Sequence, residues 1–141
     1  MQNWEQHLSE AGYRLTAARR AVIQSLVTTN IPLSPQEAWQ RGQSLQPTLG
    51  LASVYRTLGL LEELGLVRRV HQEDGCHGYM PASPGHQHTI VCRSCGRAVE
   101  FPGSEDLEEL IAQVQQETGY RVEDHLLQLV GVCPDCQRGR R

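Results

Sequence analysis

Five cysteines and six histidines are the residues of this 141-residue chain whose spacing can do chemistry. Four of the cysteines form two Cys-x-x-Cys pairs, Cys92/Cys95 and Cys133/Cys136. Two residues between thiolates let both sulfurs reach one ion from a tight turn, and two such turns complete the tetrahedral four-sulfur shell that zinc accepts without strain. The competing readings are a redox pair and inert buried thiols. A redox Cys-x-x-Cys usually opens a helix in a thioredoxin-like unit, which this pattern lacks, so a structural zinc site is expected. His86 and His88 precede the first pair. Alternate residues of a strand point to one side, so both imidazoles can share an ion. His125, in a stretch that reads as a last strand, and Glu108, beside the apolar stripe of a helix, would complete a mixed N/O site suited to Zn, Fe or Mn. Spacing alone allows His86 and His88 equally to be solvated loop residues, and His125 a satisfied core residue. Cys76, next to His77 and five residues after His71, reads as a small buried residue or a soft ligand.

The elements that must carry these residues change character along the chain. In residues 15–27 the apolar positions Leu15, Ala18, Val22, Ile23, Leu26 and Val27 follow a helical period, with Thr16 as cap. Ser34-Pro35-Gln36-Glu37 has the form of a helix start, and Leu51 to Leu64 reads as a further helix stopped by Gly65. Its inward positions are Leu51, Val54, Leu58 and Leu61, and Ser53, Arg56, Leu60 and Glu63 face the other way. Residues 66–71 and 76–80 about a turn at 73–75 predict a hairpin. Helices followed by a hairpin outline a winged helix-turn-helix. The run Pro81-Ala82-Ser83-Pro84-Gly85 is the linker, which divides the chain into domains 1–82 and 83–141. The second domain is read as strands over 86–92 and 97–101, a helix over 104–119 capped by Ser104 with Leu107, Leu110, Ile111 and Val114 buried, and a strand over 120–132. The fold class is therefore α+β, and a second domain this small usually needs a metal or a partner subunit.

The charge of −3 conceals an asymmetry. There is no lysine, and residues 12–56 hold five of the thirteen arginines against Glu37 alone. A basic N-terminal half permits contact with nucleic acid. No apolar run of about 18 residues is present, so no membrane span is expected, and the first residues lack the pattern of a secretory signal.

With Tyr13-Arg14-Leu15-Thr16-Ala17-Ala18-Arg19, Ala52-Ser53-Val54-Tyr55-Arg56-Thr57-Leu58, His86-Gln87-His88, Cys92-Arg93-Ser94-Cys95-Gly96 and Cys133-Pro134-Asp135-Cys136, the chain resembles the ferric uptake regulator (Fur) family over nearly its whole length. The resemblance implies a metal-responsive transcription factor, a homodimer with an N-terminal winged helix and a C-terminal α/β dimerisation domain. It implies Ser53, Tyr55 and Arg56 on the recognition helix, Arg19 in the helix-turn-helix, and Arg14 near the minor groove. Arg56 is the expected reader, since its fork matches a guanine edge or a phosphate, and Tyr55, at the edge of the apolar stripe, has packing as its other reading. Cys92, Cys95, Cys133 and Cys136 match the family's structural zinc site. His86, His88, Glu108 and His125 match a second site joining the dimerisation strands to the long helix. The hinge sensor site matches poorly. Leu33 stands where a histidine is usual, Met80 near a usual carboxylate, and Gln87 and Thr89 near usual histidines, which leaves His71, Cys76, His77 and Glu100. The zinc uptake regulators (Zur) of the family are similar in using a thiolate there, and a thiolate favours zinc over Fe(II) or Mn(II).

The expectation is a cytoplasmic, zinc-responsive repressor of metal-uptake genes acting on duplex DNA as a homodimer, with a structural zinc, zinc at the regulatory site with Fe or Mn as the alternatives there, and no enzymatic activity. The rival on the same scaffold is an iron, manganese or peroxide sensor. From other classes come a small zinc hydrolase built on His86, His88, His125 and Glu108, which needs an open coordination position and a substrate cleft, and a zinc-binding module that does not touch DNA.

Overall fold

The computed structural model describes residues 4–73, 75–103 and 107–139. Helix α1 (Trp4–Glu10) buries Trp4 and Leu8. Helix α2 (Ala17–Val27) starts at Thr16, whose hydroxyl accepts from the Arg19 amide at 3.2 Å. Helix α3 (Pro35–Gly42) opens with a reciprocal cap, in which Ser34 Oγ accepts from the Glu37 amide at 3.1 Å and Glu37 Oε1 from the Ser34 amide at 2.9 Å. Helix α4 (Leu51–Glu63) buries Val54, Thr57, Leu58 and Leu61. It stops at Gly65, whose φ of 74° lets the Leu66 amide reach Leu61 O and the Gly65 amide reach Glu62 O.

Strands β1 (Val67–His71) and β2 (His77–Pro81) form the antiparallel hairpin, running from Val67 opposite Pro81 to His71 opposite His77. Leu33 and Tyr79 exchange backbone hydrogen bonds of 3.0 and 2.7 Å, which fixes the hairpin to the start of α3. The main apolar cluster runs from Trp4 to Tyr79 and includes Val22, Leu26, Leu33, Leu58 and Leu61. This is a winged helix-turn-helix with a core of its own.

The second unit is a three-stranded sheet of order β4-β3-β5. Strands β3 (Gln87–Cys92) and β4 (Ala98–Pro102) are an antiparallel pair, helix α5 (Leu107–Thr118) crosses over, and β5 (Gln128–Gly131) lies parallel to β3. One turn of helix, α6 (Pro134–Gln137), follows. The expected strand over 120–132 is thus only four residues long. The backbone before it bonds to side chains instead of a neighbouring strand, the Val122 amide to Gln115 Oε1 and the His125 amide to Asp124 Oδ1. The expected cap at Ser104 lies outside the described residues.

A second expectation also changes. Helix α5 has no buried residue, and Leu110 and Val114 of its apolar stripe are 55% and 38% exposed. Among the described residues after Ala82, those buried are His88, Thr89, Cys92 and Ala98. An apolar core that thin cannot hold a sheet, and two of its four members are candidate metal ligands. No described helix is long and apolar enough to cross a membrane.

Candidate metal centres and nucleic-acid interface

Strand β3 ends at Cys92, and the chain turns back into β4 through Gly96, whose φ of 81° allows its amide to reach Cys92 O at 2.9 Å. Register sets Cys92 beside Gly131 at the end of β5, so the second pair emerges next to the first. Cys133 caps α6, and Pro134 in its first turn begins the single turn that brings Cys136 round. The four sulfurs lie within 4.8 Å of one another, with Cys95 Sγ 3.8 Å from Cys133 Sγ and no disulfide among them.

Backbone N–H groups, chiefly that of Cys133 at 3.3 Å, pull the Cys92 thiol down to about 6, whereas burial and the adjacent sulfurs push Cys136 up to about 12. Four adjacent thiols cannot all ionise unless a cation shares their charge, and a dication bound by four thiolates does so. Outside the sulfurs, Arg97 of the first turn donates to Asp135 of the second at 3.0 Å, which braces the two pairs. The donor set fits zinc.

Three of the six histidines make a second cluster. His86 leads into β3, His88 lies within it, and His125 comes from the irregular segment before β5, not from a strand. One ring nitrogen of each lies within 4.8 Å of the others, and the Nε2 atoms of His86 and His125 are 3.0 Å apart. His88 is 5% exposed and its Nε2 is buried with no hydrogen-bond partner. A buried nitrogen without a partner is unfavourable, and a metal ion would satisfy it. Burial, and then the charges of His86, His125 and Arg68, hold the His88 ring below its ordinary pKa and so in the neutral form that ligates. Gly103 donates its amide to His86 O at 2.7 Å, and a Cβ at this glycine would collide with the His86 ring. Glu108, expected as the fourth ligand, is an exposed residue of α5 and does not belong to the cluster.

The hinge residues do not converge as expected. His71 and His77 face each other across the hairpin with ring centroids 5.8 Å apart, and Cys76 is exposed. Glu100 is engaged elsewhere: Oε2 accepts from Arg68 Nε and Oε1 from the Ser83 amide, both at 2.9 Å. A cavity of about 930 Å³ lies between hairpin and sheet, and five of the six histidines (His71, His77, His86, His88 and His125) line it.

Elsewhere on the winged helix, the outward face of α4, the segment before α2 and the start of α2 enclose a groove of about 440 Å³. Ser53, Arg56, Leu60 and Glu63 line one wall, with Tyr13 and Arg19 across from them. Arg56 Nη2 donates to Ser53 Oγ at 3.2 Å. Arg19 donates to Arg14 O at 2.7 Å with its guanidinium 5.5 Å from the Tyr13 ring, so it organises the segment that exposes Arg14. Tyr55 is 53% exposed and does not line the groove. Sequence reasoning missed Arg68, Ser83, Gly103 and the Arg97–Asp135 brace, because their partners lie 17 to 38 residues away and no local pattern signals them.

Known proteins share the sequence pattern and the fold of this chain. The profile of the Ferric uptake regulator family matches residues 10–130. A ferric uptake regulation protein of Campylobacter jejuni is 30% identical over 138 residues, covering 96% of this chain and 87% of that protein. A peroxide operon regulator of Bacillus subtilis is 32% identical over 133 residues, covering 93% and 89%. A zinc uptake regulator solved with zinc and DNA shares the fold, with a TM-score of 0.75 over 99% of this chain and 98% of that one at 21% identity. The chain belongs to the ferric uptake regulator family of metal-responsive, DNA-binding transcription regulators, and it is a regulator of iron, zinc, manganese or peroxide type rather than an enzyme.

Proposed function

We propose that the chain is a zinc-responsive repressor of metal-uptake genes that binds duplex DNA as a homodimer in the cytoplasm. The observation that carries the choice of metal is the donor chemistry: among the described residues, both convergent clusters consist of sulfur or imidazole nitrogen, with no carboxylate in either. Sulfur and imidazole suit zinc, whereas Mn(II) prefers oxygen donors; imidazole also binds Fe(II), which the titration below separates from zinc.

In this reading Cys92, Cys95, Cys133 and Cys136 hold a structural zinc, and His86, His88 and His125 hold a second ion. The second ion supplies positive charge and directed bonds to three imidazoles that otherwise crowd one another. These imidazoles line the cavity that the hairpin also lines, so their spacing governs how hairpin and sheet meet. Metal shifts that arrangement only as far as it binds one state more tightly. On the DNA side Arg56 is the base or phosphate reader, Ser53 and Tyr55 share its helix, and Arg19 presents Arg14 to the backbone or minor groove. The exposed stripe of α5 supports a partner subunit against that face.

Titration of duplex DNA binding with Zn(II), Fe(II), Mn(II) and a chelator tests the proposal, on the native chain and on His88→Ala and Arg56→Ala. Zn(II) is expected to raise affinity about tenfold or more in the native chain and less in His88→Ala. Arg56→Ala is expected to lose about 1–3 kcal/mol of DNA binding with its zinc content kept. Equal affinity with zinc and with chelator sinks the switch. The relatives named for ferric uptake and peroxide favour an iron, manganese or peroxide sensor as the second reading, and activation by Fe(II) or Mn(II) in preference to Zn(II) would select it.

A further inference from the structure

We propose that Arg68 is a positioning residue: its guanidinium, paired with Glu100, ties the wing hairpin to the C-terminal sheet without a metal ion, at the hinge where a sensor site was expected. Glu100 lies in β4 with its side chain 10% exposed. One carboxylate oxygen accepts from Arg68 of β1 and the other from the amide of Ser83 in the linker, each at 2.9 Å. One side chain thus joins hairpin, linker and sheet, and neither of its oxygens is left without a donor.

A second tie stands beside it. Gln128 of β5 donates to His71 O at 2.7 Å and accepts from the His71 amide at 2.9 Å, a reciprocal pair on the last residue of β1. Register explains why the two ties act together. Thr89 of β3 is the partner of Glu100 on one side and of Gln128 on the other, so all three form one row across the sheet. That row docks on β1 at residues 68 and 71.

The arrangement opposes a second role for Glu100 as a ligand, because both its oxygens already hold a donor and one of these is a fixed cation. A dication next to a guanidinium already paired with the same carboxylate is repelled, and in a half-buried site that repulsion is poorly screened. Arg68 therefore does by a fixed charge what a hinge ion would do by coordination. The consequence for DNA rests on the regulator reading above: part of the orientation of the winged helix is set before any regulatory metal binds, which lowers the gain metal can produce. The tie itself does not depend on that reading.

Amide hydrogen exchange on the full chain, as purified and with added Zn(II), tests it without DNA. Arg68→Ala and Glu100→Gln are each expected to speed exchange at Ser83 and His71 about fivefold to tenfold, with α2 and α4 unchanged. The exchanged pair Arg68→Glu/Glu100→Arg is expected to restore slow exchange, which loss of local packing alone would not do. Native exchange rates in both single variants overturn the proposal. So does slow exchange in the native chain that appears only with added Zn(II), or an effect of Glu100→Gln, with loss of bound zinc, that Arg68→Ala does not share.

Discussion

Cys76 and Cys136 are the same residue type two structural worlds apart. Cys136 stands among three other sulfurs, half-buried, with its thiol pushed up to about 12 by burial and by those neighbours, whereas Cys76 is exposed in the hairpin and belongs to neither ligand cluster. Removing one thiolate from a closed four-sulfur shell removes the ion and with it the cross-link between the end of β3 and the chain after β5. Cys136→Ser is therefore expected to lose zinc and to unfold the second unit, while Cys76→Ser keeps native zinc content and native circular dichroism. Metal analysis with circular dichroism checks both. A folded Cys136→Ser protein would remove the structural role of the cluster, and zinc loss in Cys76→Ser would bring that thiol back as a ligand.

Among the elements, α3 shows how a local pattern becomes a tertiary contact. Ser34 and Glu37 close both ends of the cap, Pro35 pre-sets the first turn, and the residue before the cap, Leu33, is buried and bonded to Tyr79 of the wing. Loss of the Ser34 hydroxyl frees the Glu37 amide and loosens the junction between helix and hairpin. Ser34→Ala is expected to cost about 1 kcal/mol in urea denaturation, at unchanged slope. Stability within a few tenths of a kcal/mol of native would mean that the Leu33–Tyr79 bridge holds the helix start unaided.

At the scale of the whole molecule the two units are held by opposite means. The winged helix has an apolar cluster from Trp4 to Tyr79, while the second unit buries two imidazole- or thiol-bearing ligands and leaves Leu110 and Val114 open on α5, with Leu129 and Val130 open on β5. A helix with an uncovered apolar stripe beside so thin a sheet fits the homodimer proposed above, with a second copy of the chain over that stripe. Leu110→Glu is expected to shift the protein to a monomer at micromolar concentration, in sedimentation, with zinc content kept. A dimer that persists would place the interface elsewhere.

Short-range rules carried the N-terminal half. Thr16, Ser34, Pro35 and Gly65 punctuate the helices by bonds within a few residues, and one helical period separates Val54, Leu58 and Leu61 from Ser53, Arg56 and Glu63, so core and groove faces were legible together. The two Cys-x-x-Cys pairs were equally legible, since two residues between sulfurs already impose the turn. Only the tertiary structure decided the rest. The parallel pairing of β3 with β5 brings Gly131 beside Cys92 and His125 to His86, and nothing local encodes a parallel partner. Glu108 and Glu100 were both expected as metal ligands, yet one stays exposed on α5 and the other is bonded to Arg68, 32 residues away. A sequence shows which side chains can ligate or pair; which of them meet depends on register and crossover, set by contacts between distant residues.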